Sequence, residues 1–210
     1  MTATIQAAAE EFLDGTADVR CESIPTAPAF IETYEDAQKA APGMVESIRR
    51  NQAEYDAFVV ACHCDPNLDL LKEISQKPVV GIGEASMKLA SMLGHSFSVL
   101  SATRQSVPNK RALVEKYDLT SSLASVRSPD EGVEFASDEE RYLQLARAAV
   151  DEDMAEVLVL GCAGLAGMDK RLQERLGVPV LDGVVCALMV AAGLVKYGVS
   201  TSKARSYRGS

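Results

Sequence analysis

Positive charge is scarce in this chain. Its 21 Lys and Arg face 30 Asp and Glu, for a formal net charge of -9 and a pI near 4.8. Without a basic face nothing neutralises a run of phosphates, which speaks against nucleic acid as a partner and equally against an anionic membrane surface. Long apolar runs are lacking too. The longest uncharged one, from Gly183 to Val195, falls short of the roughly 18 residues that a bilayer span requires, and no basic segment followed by an apolar one opens the chain. The expected location is the cytoplasm. Cysteine is sparse and odd in number; the five residues lack the dense spacing of a disulfide framework, which fits reduced thiols.

What is present is a duplicated pattern. The 210 residues, 47% hydrophobic, suffice for one large domain or two lobes of about 100 residues each. Residues 156–164 form an apolar run ending in Gly161 and Cys162, and residues 57–62 form the same run ending in Cys62, so the two cysteines stand 100 residues apart. A buried parallel strand that ends in a turn has this pattern. The match continues downstream. Residues 68–76 and 78–82 correspond to residues 168–176 and 179–183, and a helix follows each, over 84–93 and 184–196. Four matches in one register indicate a repeat.

Taken in order, residues 1–13 predict a helix stopped at Asp14-Gly15, residues 18–24 a strand, and residues 35–51 a second helix. The second half opens with a strand over 96–100 and a polar loop over 101–106, then a helix from Val107-Pro108 to about Tyr117. A strand over 122–127, a surface loop over 128–137 and a helix over 138–150 follow. The second half therefore holds four strand–helix units and the first only three strands. In the register of the repeat, the partner of residues 97–100 falls before Met1, so the chain is expected to begin inside a repeat.

Alternating strands and helices predict an α/β fold of two pseudo-symmetric flavodoxin-like lobes, each a parallel sheet of about four strands flanked by helices. The first strand of lobe 1 is expected to be missing. Lobe 1 covers residues 1–95, with residues 197–210 packing back on it, and lobe 2 covers residues 96–196. Ligands in such sheets bind beyond the carboxyl ends of the strands, which is where Cys62 and Cys162 lie, on opposite walls of one cleft. A thiol placed before a helix N-terminus ionises below its usual value of about 8.5. One thiolate and one thiol on opposite sides of an acidic carbon remove a proton and return it, inverting the centre without a cofactor. Substrate contacts are assigned to His63, Gly81, Ser101, Gly161, Ala163 and Gly164, and the N–H groups over 161–164 are expected to hold a developing enolate oxygen.

Several motifs together resemble one family. They are Ala61-Cys62-x-x-Asp65-Pro66, Val80-Gly81-Ile82-x-Glu84-Ala85, Phe97-Ser98-Val99 with Ser106-Val107-Pro108, Leu160-Gly161-Cys162-Ala163-Gly164, and Gly177-Val-Pro-Val-x-Asp182-Gly183. Over nearly the whole chain they are similar to the hydantoin racemase branch of the aspartate/glutamate racemase superfamily. The resemblance implies a cofactor-independent homo-oligomeric racemase of 5-substituted hydantoins, including allantoin, with Cys62 and Cys162 as the acid and base pair. Amino-acid racemases of the superfamily carry Thr or Asn beside a catalytic cysteine, whereas His63 and Ala163 stand here, which favours a neutral heterocycle as the small-molecule substrate. Two departures from the family are the absence of the leading strand that ends there in an Asn-Pro-Asn loop lining the pocket, and the His after Cys62.

Other readings stay open at this level. Cys62-His63-Cys64 lacks the second ligand pair of a structural zinc site, so no metal is assigned. Asp65, Glu84 and Asp182 lie near helix starts and are expected to cap them. Cys21 and Cys186 are expected in the core, and Cys64 outside the chemistry. A decarboxylase or cis-trans isomerase of the same superfamily needs only one of the two cysteines, and a non-catalytic binding protein needs neither.

Overall fold

Strands and helices alternate along the chain, and in the computed structural model, which describes residues 1–129 and 138–209, they build two parallel sheets flanked by helices. Helix α1 (Thr2–Leu13) buries Ile5, Ala9 and Leu13, four residues apart on one face, and stops at Asp14 in the left-handed region at φ 43°. Helix α2 (Tyr34–Asn51) opens on a capping box in which Asp36 N–H donates to Thr33 Oγ1 and Thr33 N–H donates to Asp36 Oδ2. Then come β1 (Phe58–Val60), α3 (Leu68–Ile74), β2 (Val79–Gly81) and α4 (Ile82–Leu93). The second half runs β3 (Phe97–Leu100), α5 (Val107–Lys116), β4 (Leu123–Arg127), α6 (Glu139–Asp151), β5 (Val157–Leu160), α7 (Asp169–Leu176), β6 (Val180–Leu181) and α8 (Gly183–Tyr197).

The larger sheet has the order β4-β3-β5-β6. Its central strands β3 and β5 pair in register from Phe97 with Val157 to Leu100 with Leu160, and every residue of both is buried. Cover on both faces is why β5 is apolar without alternation and why Ser98 of β3, buried as well, pairs its hydroxyl with Ser125 of β4. The smaller sheet is the pair β1-β2, with Val60 opposite Gly81.

The smaller sheet departs from expectation. It has two strands rather than about four, and residues 18–24 pair with no strand among the described residues. The repeat explains why. The counterpart of residues 18–24 is β4, whose only ladder partner among the described residues is β3, and the first sheet has no described strand in the place of β3. Gln6 of α1 holds the segment instead: its Nε2 donates to Val19 O at 2.9 Å and its Oε1 accepts Cys21 N–H at 2.6 Å. The loop expected over 128–137 lies, from residue 130 on, outside the described residues.

Helices α4 and α8 tie the halves together by crossing between them. Helix α4, which follows β2, packs against β3 and β5, with Met87 and Ala90 buried among Phe97, Val99, Val157 and Val159. Helix α8, which follows β6, packs against β1 and β2, with Val184, Ala187 and Ala191 buried beside Val80 and Ile82. The boundary at residues 95 and 96 is thus bridged twice. Beyond α8 the chain returns to α3: Ser200 Oγ donates to Gln76 O at 3.0 Å and Tyr207 hydroxyl to Asp69 at 2.8 Å. Among the described residues no helix is long and apolar enough to cross a membrane.

Because Met87 fills the space between α4 and the larger sheet with 0% exposure, Met87→Ala should cost about 2–5 kcal/mol in urea denaturation. A loss under about 1 kcal/mol would contradict the packing of α4 on that sheet.

Candidate active site

Each cysteine strand end is held by a buried carboxylate. After β1 the chain turns through Cys62, His63 and Cys64 to Asp65, a left-handed residue at φ 44° and 4% exposed. Asp65 does not cap the helix that follows it. Its carboxylate accepts the N–H groups of Gly83 at 3.0 Å and Glu84 at 2.6 Å, which are free donors at the start of α4, and the Tyr117 hydroxyl at 2.7 Å. Gly81 belongs to this arrangement, since a Cβ there would collide with the Asp65 carboxylate and with Leu68. Burial pushes the Asp65 carboxyl up to about 6, against the pull of its three donors.

In the second half the carboxylate sits on the helix and reaches back to the loop. Asp182 caps α8 through Val184 N–H at 2.8 Å and accepts Gly167 N–H, from the loop after Cys162, at 3.1 Å. Between them Cys162 opens a short turn over Ala163–Leu165, and Gly164 N–H donates to its sulfur at 3.4 Å. Ala163 is buried beneath the turn. The Gly161 N–H is committed to Leu100 O at 2.8 Å, and a Cβ on Gly161 would stand 2.7 Å from the same oxygen, so this glycine serves strand approach. Of the N–H groups expected to face an enolate, that of Gly161 is therefore taken, and that of Gly164 faces the sulfur.

Lys110, on the first turns of α5, is what the two cysteine loops share. Its side chain is 3% exposed, its Nζ stands 3.4 Å from Cys64 Sγ, and its charge acts on Cys62, His63, Cys64 and Cys162 alike. The thiols respond differently. A hydrogen bond with Cys64, and then burial, hold the Cys62 thiol well above its usual range, and burial raises Cys162 against the help of Gly164 N–H. The hydrogen bond from Cys62 lowers Cys64 to about 6, with Lys110 assisting against burial. A resting thiolate at Cys62 or Cys162 was the sequence expectation, drawn from the helices that follow. In the structure α3 begins only at Leu68 and α7 at Asp169, so no long helix N-terminus adjoins either sulfur.

His63 is 1% exposed, not solvated. Its Nε2 lies 3.3 Å from Ser86 Oγ, whose hydroxyl donates to Ile82 O at 2.6 Å, and its Nδ1 has no partner among the described residues. Burial, and then Lys110, hold the ring well below its ordinary value, so it is neutral. Ser101 is tied into the loop after β3, with its Oγ 2.6 Å from Ser106 Oγ and 3.1 Å from Thr103 O. That loop reaches the first half through Thr103 Oγ1, which donates to Glu32 at 2.8 Å, and the Glu32 charge acts on both Cys64 and Cys162.

A family model described as Asp/Glu/Hydantoin racemase matches residues 1–191. The chain belongs to this family. It is 38% identical over 214 residues to the hydantoin racemase of Pseudomonas sp. (strain NS671), covering 99% of this chain and 86% of the relative. It is 42% identical over 188 residues to that of Paenarthrobacter aurescens, covering 86% and 80%. Among solved structures, allantoin racemase from Klebsiella pneumoniae superposes with a TM-score of 0.94 at 31% identity, over 100% of this chain and 88% of the other. An arylmalonate decarboxylase mutant, with a TM-score of 0.68 at 19% identity, shares the fold.

For this racemase-family chain, sequence reasoning missed Lys110, Glu32 and Tyr117. A signal for Lys110 existed: it shares the buried face of α5 with Leu113 and Val114, at spacings of three and four, where an apolar residue belongs. Glu32 and Tyr117 reach the site through the tertiary fold and left no such mark.

The Tyr117 hydroxyl stabilises the ionised Asp65. Because the Asp65 carboxyl is raised to about 6 from an unfolded value near 3.9, the folded protein binds the extra proton, and this group's contribution to stability falls as pH rises from about 4 through 6. Tyr117→Phe should therefore cost about 1.5–3 kcal/mol at pH 8 and less at pH 5, where Asp65 is largely protonated. Equal losses at both pH values in denaturant titrations would contradict the Asp65 assignment.

Proposed function

We infer that this chain is an isomerase, a cofactor-independent racemase of 5-substituted hydantoins, allantoin among them, in which Cys62 and Cys162 exchange the C5 proton. The observation that carries the reading is the equivalence of the two thiols: each ends the matching strand of a repeat, each loop is gripped by a buried carboxylate, and both feel the charge of Lys110. Relatives named hydantoin racemase and allantoin racemase over most of the chain support the substrate class.

The hydantoin C5 proton is acidic because the adjacent ring carbonyl takes up the charge as an enolate. A thiolate on one face removes this proton, and the thiol on the other face supplies its own, so the centre inverts and the charge passes from one sulfur to the other. Half-buried sulfurs suit this exchange. The interaction with Cys64, and then burial, raise Cys62, and burial raises Cys162, which makes each thiolate a stronger base once formed. Beside the two thiols in sequence stand the neutral His63 and Ala163, while Lys110 and Glu32 act on Cys162 with opposite sign. We extend the reading to a cytoplasmic homo-oligomer, for which light scattering should give a mass above that of one 22.4 kDa chain.

Cys62→Ser and Cys162→Ser should each lower racemisation by about 10²–10⁴-fold, the usual scale of a lost acid or base. Each single variant should retain deuterium exchange at C5 of one enantiomer in D₂O, the opposite one in each case. Full racemisation by either variant would contradict the two-thiol mechanism, and exchange of the same enantiomer by both would point to one-sided chemistry.

A further inference from the structure

Lys110 is a buried ammonium without a carboxylate partner among the described residues, and its hydrogen-bond partner is the sulfur of Cys64. A buried charge of this kind is retained where something supplies the opposite sign. Cys64 lies two residues from Cys62 in the turn after β1, and the two thiols bias each other's ionisation, so the ammonium and both sulfurs form one cluster that includes the proposed catalytic thiol. We propose that Lys110 holds Cys64 as a resting thiolate and that Cys64 serves Cys62 as its proton acceptor, making Lys110 and Cys64 positioning residues for racemisation. The inference rests on the reading that Cys62 acts at C5.

The proton count closes. At rest Cys62 is a thiol donating to the Cys64 thiolate, which lies against the Lys110 ammonium, and Cys162 is a thiol. When substrate binds, the Cys62 S–H bond breaks and a Cys64 S–H bond forms, which moves the negative charge to Cys62. The Cys62 thiolate then takes the C5 proton, and the Cys162 thiol gives its proton to the opposite face. Cys62 and Cys64 end as thiols and Cys162 as the thiolate, one negative charge throughout. Loss of a proton from Cys64 to solvent and gain of one by Cys162 then restore the resting form, while an opposite enantiomer that binds before this reset meets the Cys162 thiolate and runs the same steps backwards. The low position of Cys64, about 6, and the raised position of Cys62 and Cys162 agree with a charge that rests on Cys64. A lysine that served packing alone would leave the acid limb of kcat/KM untouched.

Iodoacetamide labelling of the intact protein across pH 5 to 9, mapped by mass spectrometry, tests this without substrate. Cys64 should label first, with a midpoint near 6. In Lys110→Met the midpoint should rise by at least about one pH unit, a tenfold loss of thiolate, and Lys110→Arg should restore most of it. The acid limb of kcat/KM should move the same way in Lys110→Met. In Cys64→Ser, kcat should fall at least tenfold with KM little changed. An unchanged Cys64 midpoint in Lys110→Met overturns the inference whatever the racemase activity, as does a wild-type protein in which Cys64 labels no faster than a free thiol. An unaltered pH–rate profile and kcat in Cys64→Ser overturns the proton transfer to Cys64. If the midpoint shifts but wild-type protein racemises no hydantoin, the Lys110–Cys64 pair stands and the racemase reading falls.

Discussion

Two buried carboxylates fix the geometry on which the rest of the site depends. Asp65 lies in the first cysteine loop and grips the N-terminus of α4, while Asp182 lies at the N-terminus of α8 and grips the second cysteine loop. Both join a loop after one strand to the helix after the next strand, from opposite ends of the same connection. Burial opposes ionisation at both, and backbone N–H groups offset it. The N–H groups of Gly83, Glu84 and Val184 are helix-start donors in need of an acceptor, so each carboxylate satisfies a demand the fold has already created. Since α4 and α8 pack on the opposite lobe's sheet, each clasp also sets where one cysteine loop stands relative to the other half.

Within that frame the electrostatics are governed by one cation. The three sulfurs are half-buried, burial works against their ionisation, and the Lys110 ammonium counters this unevenly. It touches Cys64 and acts only at longer range on Cys62 and Cys162. The asymmetry between the two halves therefore arises from a side chain of α5 and a third thiol, not from the duplicated strands, which supply the symmetric part of the site.

The duplicated framework could be read from sequence because its signals are local and repeated. Apolar runs ending in Cys62 and Cys162 marked β1 and β5, and the Pro-led runs marked β2 and β6, each within a residue or two. The strand expected over 18–24 failed for a reason no local window contains: a strand needs a neighbour, and its counterpart β4 has β3 while this segment pairs with no described strand and is held by Gln6 of α1 and, through Glu22, by Ser47, Arg50 and Asn51 of α2. Gly81 and Gly161 were legible as special positions, but the structure gives them steric duties against Asp65 and Leu100. His63 stood in a polar stretch yet is buried, because the loop folds inward with Asp65. Lys110 and Glu32 reach the cysteines by tertiary packing, across 46 residues in the case of Lys110 and Cys64.

The most direct test of the central claim is polarimetry of a single-enantiomer 5-substituted hydantoin, run beside allantoin and L-glutamate at neutral pH with no added cofactor. Optical rotation of the hydantoin or of allantoin should decay to zero many times faster than in buffer alone, while that of L-glutamate holds. Rotation that persists for the hydantoin and allantoin, or decays only for the amino acid, would contradict the account.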